Sequence, residues 1–381
     1  MELSDLRQEI DQLDKELVRL FCARMQVSSR VAEYKREHQL PVLDPVRERA
    51  LLQKVASLAE TEELGDYTRI LYETILSLSR NRQEKALAGS SPLFSAVNAA
   101  MNDTPKLFPK SATVACQGVE GAYSQAAANK LFRDPSIRYY STFEDVFRAV
   151  ESGECRYGVL PLENSTAGSV NKVYDLMVAH EAYIVRAVRV RIAHNLYVNH
   201  GVELSDVREV ISHEQALNQS AEFLRSLGDV KITPVLNTAL AAQMVRDSHR
   251  TDLAALSSPT CGALYGLKCL ASSVQDKGAN YTRFVCISRS LELFPGADRT
   301  SLMMVTSQRP GSLYRILSIL NAAGVNMTKL ESRPIPDKDF EARFYLDAEL
   351  SIYTPEFAEI LASLERECEE MRYLGTYNEI I

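Results

Sequence analysis

The seven cysteines (Cys22, Cys116, Cys155, Cys261, Cys269, Cys286 and Cys368) are odd in number, scattered, and form no CxxC pair. That argues against a disulfide framework or a zinc site and points to a reducing cytoplasm. The six histidines are equally dispersed, so neither a metal nor a cofactor is expected. No long lysine or arginine run is present, and the formal net charge is -7. Nucleic acid is therefore not the expected partner, although a local basic pocket stays open. No apolar stretch is long enough to span a membrane, and Met1-Glu2-Leu3-Ser4-Asp5-Leu6-Arg7 is charged from the start, unlike a signal peptide.

What is present is a chain of 381 residues, 46% hydrophobic and 24% charged, which fits a soluble protein of two or three domains. The texture changes twice along it. Leu3, Leu6, Ile10, Leu13, Leu17 and Leu20 recur at helical spacing, and neither Gly nor Pro interrupts before Pro41. This predicts a helix of about 35 residues, roughly 50 Å long. One small domain cannot bury so long a stripe, which points to a second copy and a homodimer or higher homo-oligomer. Arg24 interrupts the continuing stripe Val27, Val31, Tyr34, and Lys35 lies on nearly the same face. Such cations need partners; an interhelical salt bridge and a ligand pocket both supply them. Asp44-Pro45 starts a second helix by capping chemistry. A third is expected over about Asp66 to Lys85, with Ser79 and Gln83 one turn apart.

Taken together, Arg7, Arg24, Lys35, Asp44, Arg47, Glu48, Ser79 and Gln83 resemble the substrate-contacting set of the all-helical chorismate mutase domain, over about residues 1–88. The resemblance implies a pericyclic rearrangement of chorismate to prephenate. That reaction needs no nucleophile, only a held conformer and charge aimed at the breaking ether oxygen. It implies Arg7 (from a partner subunit) and Arg24 on the carboxylates and Lys35 and Gln83 on the ether oxygen. Glu48 would take the ring hydroxyl, and Arg47 would complete the basic wall.

Residues 89–110 carry Gly89-Ser90-Ser91-Pro92, Pro105 and Pro109 and read as a linker. Beyond them, short apolar runs alternate with helical stretches to about residue 290, an α/β pattern with room for two lobes. Four polar clusters stand at strand ends: Gly118 to Ser124, Glu163-Asn164-Ser165, Ser212-His213-Glu214-Gln215 with Gln219 a turn on, and Asn280-Tyr281-Thr282-Arg283-Phe284. Each alone is ordinary turn chemistry; four in one α/β unit point to a shared cleft. None is a GxGxxG, so a dinucleotide fold is not expected.

These motifs resemble prephenate dehydratase across about 111–290, with Glu214 and Ala216 where relatives often have proline. The resemblance implies two lobes like a periplasmic binding protein, with the site between them. Prephenate would lose carbon dioxide and hydroxide together, giving phenylpyruvate. The implied contacts are Glu163, Asn164, Ser165, Ser212, Gln219 and Arg283. Thr282 would donate to, or relay a proton towards, the departing hydroxyl. Arg283 either clamps a carboxylate or braces the lobes.

After Pro295-Gly296 the pattern is strand, helix, strand, strand, helix, strand, a ferredoxin-like α+β order over 299–378 that by itself assigns no function. Gly311-Ser312-Leu313 and Glu331-Ser332-Arg333-Pro334 resemble the two motifs of the ACT regulatory domain, with Ser312 for the usual alanine. The resemblance implies phenylalanine bound between paired domains, with the second motif as a loop closing over it, and feedback inhibition of the dehydratase. Because Thr282 lies only about fifteen residues before this unit, the expected coupling route is that short covalent connection. The whole resembles the bifunctional chorismate mutase–prephenate dehydratases of phenylalanine biosynthesis. The alternative is a non-catalytic amino-acid sensor, which would bind ligand without turnover.

Overall fold

In the computed structural model the described residues are 2–87, 92–276, 278, 280–335 and 341–381. The N-terminal part is three helices, α1 (Leu3–Glu37), α2 (Pro45–Ala56) and α3 (Glu62–Leu87). A capping box opens α1, the Glu2 amide donating to Asp5 Oδ2 at 3.0 Å. The Arg47 amide donates to Asp44 Oδ1 at 3.0 Å at the start of α2, with Pro45 in the first turn. Helix α3 starts four residues before the expected Asp66 and takes in Gly65. A Cβ there would lie 3.0 Å from the Ala56 carbonyl oxygen, so glycine lets the end of α2 approach closely. The apolar face of α1's first half is bare: Leu3, Ile10, Leu13, Leu17 and Leu20 are all more than half exposed.

The expected linker contains a helix, α4 (Pro92–Asp103). Leu93, Val97, Ala100 and Met101 share one of its faces and join a core with Leu293, Phe357, Ile360 and Leu364. The Pro and small residues that read as linker are compatible with a short helix once a partner surface buries that stripe.

Residues 113–288 form two lobes. The first is built on a mixed sheet ordered Glu379–Ile380, Tyr183–Arg191, Tyr281–Ser288, Tyr157–Asn164, Thr113–Gln117, Ser136–Tyr140. The second has a five-stranded sheet ordered Lys268–Ala271, Asn195–Val198, Leu253–Ser257, Glu209–Ser212, Lys231–Pro234. The first strand, Glu379–Ile380, comes from the chain's far end and pairs parallel with Tyr183–Arg191. Two residues carry no periodic signal that could announce such a strand.

The C-terminal part has the expected βαββαβ order, with an antiparallel sheet ordered Met327–Pro334, Ala342–Ala348, Arg299–Thr306, Cys368–Tyr377 and helices Ser312–Ala322 and Phe357–Glu367. The expected hairpin tip at Pro336-Asp337 lies outside the described residues. This unit is not a separate bead. One apolar core joins Leu160, Leu162, Val285 and Ile287 of the first lobe to Met303, Tyr345, Leu374 and Tyr377. Gly375, at φ +128°, makes the approach possible: a Cβ there would sit 2.3 Å from the Ile184 carbonyl oxygen.

Candidate active sites

The helices converge on a cavity of about 300 Å³ lined by Arg24, Lys35, Asp44, Arg47, Glu48, Ser79 and Gln83, together with Ser28, Val42 and Arg80. Four cations face two carboxylates, so the cavity carries net positive charge. Lys35 Nζ donates to the Val42 carbonyl at 2.5 Å, fixing it on the chain that leaves α1. Arg80, which received no role from sequence, is the partner of Glu48: Arg80 Nη1 lies 2.6 Å from both carboxylate oxygens. Its signal was present, one residue after Ser79, but a lone arginine on a helix reads as surface. Ser28 was also missed. Its hydroxyl bonds that of Ser79 and accepts from Gln83 Nε2 at 3.2 Å.

Gln83 is 7% exposed, and its Oε1 has no partner. Turning the amide through 180° would let Oε1 accept from Ser28 and free the NH₂ as a donor. Arg7 is not in this cavity. Seventeen residues of helix separate it from Arg24, about 26 Å of rise, so one copy of the chain does not bring the two together.

Between the lobes lies a second cavity, of about 390 Å³. Thr282 and Asn164 face it as cross-strand partners. Asn164 Nδ2 donates to Thr282 Oγ1 at 2.9 Å and to Asn280 Oδ1 at 2.8 Å. Asn280 Nδ2 then donates to Gln219 Oε1 at 2.9 Å, and His194 Nε2 stands 3.2 Å from the same oxygen. Because Oε1 only accepts, His194 carries its proton on Nε2. Thr166 closes the ring: Gln219 Nε2 donates to its Oγ1 at 3.3 Å, which donates to Asn164 Oδ1 at 2.7 Å. The consequence sits at Thr282. Asn164 engages a lone pair of Thr282 Oγ1, so the threonine's own hydroxyl hydrogen is not used in that bond.

Asn280, Thr166 and His194 were not assigned from sequence. Asn280 was legible, since it opens the Thr-Arg-Phe stretch. His194 and Thr166 had only the generic signal of a polar residue beside a strand. Burial pushes the His194 imidazole below its ordinary pKa, against the Gln219 hydrogen bond, and burial does the same to His213. Among the described residues lining this cavity, these two histidines are the groups able to carry positive charge.

Four expected prephenate contacts are placed elsewhere. Ser212 is fully buried inside the second lobe, where its hydroxyl donates to the Leu256 carbonyl at 2.6 Å. A strand end offers two faces, and His213 rather than Ser212 takes the one towards the cleft. Ser165 sits on the rim, its Oγ accepting from the Tyr281 amide at 3.0 Å. Arg283 points away from the cleft, because side chains alternate along a strand and Thr282 and Phe284 take the cleft side. Its Nη2 lies 2.6 Å from Asp347 Oδ2 of the C-terminal unit and 3.3 Å from Glu163 Oε2. Glu163 is on that same rear face, its other oxygen 3.2 Å from Lys329 Nζ. Of clamp and brace, the geometry of Arg283 is that of a brace. Burial works against its charge, but Tyr377 and Asp347 outweigh it and raise its pKa above the ordinary value.

In the C-terminal unit Gly311, at φ +81°, caps the helix Ser312–Ala322. Ser312 is buried, its hydroxyl 2.8 Å from that of Ser307, while Leu313 is half-buried. Glu331, Ser332, Arg333 and Pro334 form a strand, not the expected loop. Lys329, Glu331 and Arg333 alternate onto one side of it and meet the first lobe. The Glu331 carboxylate accepts from the Ser169 hydroxyl, and Arg333 Nη2 lies 2.9 Å from both oxygens of Asp175. Among the described residues no group of three or more His, Cys, Asp or Glu could hold a metal, and no helix is long and apolar enough to cross a membrane.

Two stretches of the chain match known families. Residues 6–84 match the chorismate mutase type II family and residues 114–292 the prephenate dehydratase family. The bifunctional chorismate mutase/prephenate dehydratase of Escherichia coli K12 is 32% identical over 385 aligned residues, covering 98% of this chain and 95% of that protein. The chain belongs to the bifunctional chorismate mutase/prephenate dehydratase family. It is an enzyme of phenylalanine biosynthesis with both activities, rearranging chorismate to prephenate and converting prephenate to phenylpyruvate. Two solved structures resemble the part beyond the helices. One is a prephenate dehydratase from Arthrobacter aurescens in complex with L-Phe, at TM-score 0.64 and 28% identity, covering 70% of this chain and 89% of that one. The other is GqqA, described as a quorum-quenching acylase, at TM-score 0.63 and 32% identity, covering 70% and 97%.

Proposed function

We propose that the enzyme runs its two reactions at the two cavities described, with the residues in distinct roles. In the helical cavity Arg24 grips a chorismate carboxylate, and Lys35 and Gln83 donate to the ether oxygen as its bond breaks. Glu48, held by Arg80, accepts from the ring hydroxyl, while Arg47 and Asp44 line the mouth and Ser79 sets the inner wall. The net positive cavity supports this reading, since the transition state concentrates negative charge on that oxygen. A second carboxylate needs a further cation. Arg7 supplies it from a second copy whose α1 covers the bare leucine face, so the working unit is a homodimer or larger homo-oligomer.

In the lobe cleft Thr282 assists the departing hydroxyl of prephenate. The observation that carries this is the Asn164–Thr282 hydrogen bond, which occupies a lone pair of the threonine and leaves its proton for the substrate. Asn164, Asn280, Gln219 and Thr166 hold that polarity as a closed ring. A substrate carboxylate meets His213 at the cleft wall rather than Arg283. Aromatisation supplies the driving force, so one oriented donor and a rigid frame suffice.

The C-terminal unit is read as an ACT-type sensor for phenylalanine, with Gly311 to Leu313 and Glu331 to Pro334 as its binding segments. Support comes from the βαββαβ order and from the L-Phe bound in the Arthrobacter relative. Two variants test the division of labour. Lys35→Ala should lower mutase turnover by about 10³-fold and leave prephenate turnover intact, and Thr282→Ala should do the reverse. Chorismate depletion and phenylpyruvate absorbance in alkali read the two separately. Survival of either activity in its own variant would remove that residue from its role.

A further inference from the structure

Behind the dehydratase site, the C-terminal unit grips the charged rung next to Thr282. On the strands Tyr281–Ser288 and Tyr157–Asn164, Thr282 pairs with Asn164, and the next rung pairs Arg283 with Glu163. The first rung faces the cleft. The second faces backwards, and both of its side chains end on the C-terminal unit. Arg283 Nη2 meets Asp347 Oδ2 at 2.6 Å, and Glu163 Oε1 meets Lys329 Nζ at 3.2 Å. Asp347 is itself fixed, its other oxygen accepting from the Ser301 hydroxyl at 2.6 Å, with Tyr377 OH 2.8 Å beyond. Lys329 also donates to Ser169 Oγ at 2.6 Å, a residue that lines the cleft and pairs with Glu163. Arg283 is 8% exposed and Asp347 5%. These charges are thus withdrawn from water, where a charge-assisted hydrogen bond is short and directional.

We propose that Asp347 is a positioning residue for the dehydratase reaction, supplied by the C-terminal unit: by holding Arg283 it fixes the strand on which Thr282 meets Asn164. The proposal rests on Thr282 acting at the departing hydroxyl. A strand held at one rung holds the rung beside it, and the Thr282–Asn164 contact of 2.9 Å has little room to slacken before the threonine proton is mis-aimed. The C-terminal unit then does more than carry a sensor. It supplies the rear wall of the catalytic lobe, and removing it removes part of the site.

The test uses the full-length enzyme. In Asp347→Asn, dehydratase kcat should fall roughly 10²-fold, the scale of a small misplacement of a catalytic group. The KM for prephenate should stay within about threefold, since substrate contacts are intact, and mutase turnover should be unchanged. Asp347→Glu should recover most of the loss. The deciding variant is the double substitution Arg283→Met with Asp347→Leu, which removes both buried charges at similar volume and so relieves any instability of an unpaired arginine. If the pair positions Thr282, the double variant stays folded, keeps mutase activity and has a dehydratase kcat as low as Asp347→Asn. Near wild-type dehydratase turnover in the double variant overturns the proposal, because the pair would then serve stability alone. Retained dehydratase activity in Thr282→Ala would instead strike the reading beneath it, and the two failures are told apart by which variant stays active.

Discussion

The two cavities solve opposite electrostatic problems. The helical cavity keeps its charges inside, with Arg24, Lys35, Arg47 and Arg80 facing Asp44 and Glu48. The lobe cleft keeps its charges outside, sending Arg283, Glu163 and Lys329 to the rear and lining the front with amides and hydroxyls. The chemistry explains the difference. A pericyclic step has no proton to move, so a strong fixed field is the main thing a protein can add. Expulsion of a hydroxyl needs one donor at one angle. On the proposed reading, a neutral ring of hydrogen bonds sets that angle.

Three measurements would sharpen this contrast or break it. The largest effect is expected from Gly375→Val. Its Cβ would lie 2.3 Å from the Ile184 carbonyl oxygen at a φ of +128°, so the C-terminal unit cannot dock without distortion. We expect a loss of about 4 kcal/mol or more in the stability of the dehydratase part, with the mutase helices unaffected. Thermal unfolding followed alongside both activities would show it, and an unchanged dehydratase transition would refute the shared core. Next is Arg80→Met, which leaves Glu48 without its partner inside a cationic cavity. Mutase kcat/KM should drop by on the order of 10²-fold while dehydratase turnover stays constant. A negligible drop would mean that the cavity's field does not depend on how Glu48 is held.

The smallest effect concerns pH. His194 and His213 have folded-state pKa values below their ordinary 6.5 because burial disfavours the cation. Below that value the unfolded chain binds protons that the folded cleft does not, so stability falls as the pH drops from about 6.5 and is unaffected above it. The dehydratase thermal midpoint should decline by a few degrees between about pH 6.5 and pH 5. Replacing His194 with Asn should flatten the slope. An unaltered slope would assign the decline to His213 or to groups outside the cleft.

Much of this was legible in the chain. Helix α1 followed from its uninterrupted apolar spacing, α2 from Asp44-Pro45, and the C-terminal βαββαβ order from period-two and helical patterns in alternation. In the helical cavity Arg24 and Lys35 were legible because a cation on an apolar stripe is conspicuous, while Asp44, Arg47, Glu48, Ser79 and Gln83 were named through the family resemblance. The lobe cleft was legible only in part. Thr282, Asn164 and Gln219 came together as expected, but Ser212, Glu163 and Arg283 turned out to face elsewhere. Sequence marks a strand end as polar without saying which of two faces each residue takes, and that choice depends on what packs behind.

What the sequence determined by itself was the long N-terminal helices, the alternating α/β texture and the C-terminal βαββαβ order, since these rest on local propensity and on costs that any fold must meet. Tertiary structure decided the direction of Arg283, the docking of α4 across the expected linker, the pairing of Glu379–Ile380 with a strand nearly 200 positions earlier, and the return of the C-terminal unit behind Thr282. Each depends on a contact between segments far apart in the chain. Such contacts form only when an apolar surface elsewhere needs covering, as the rear of the Thr282 strand did.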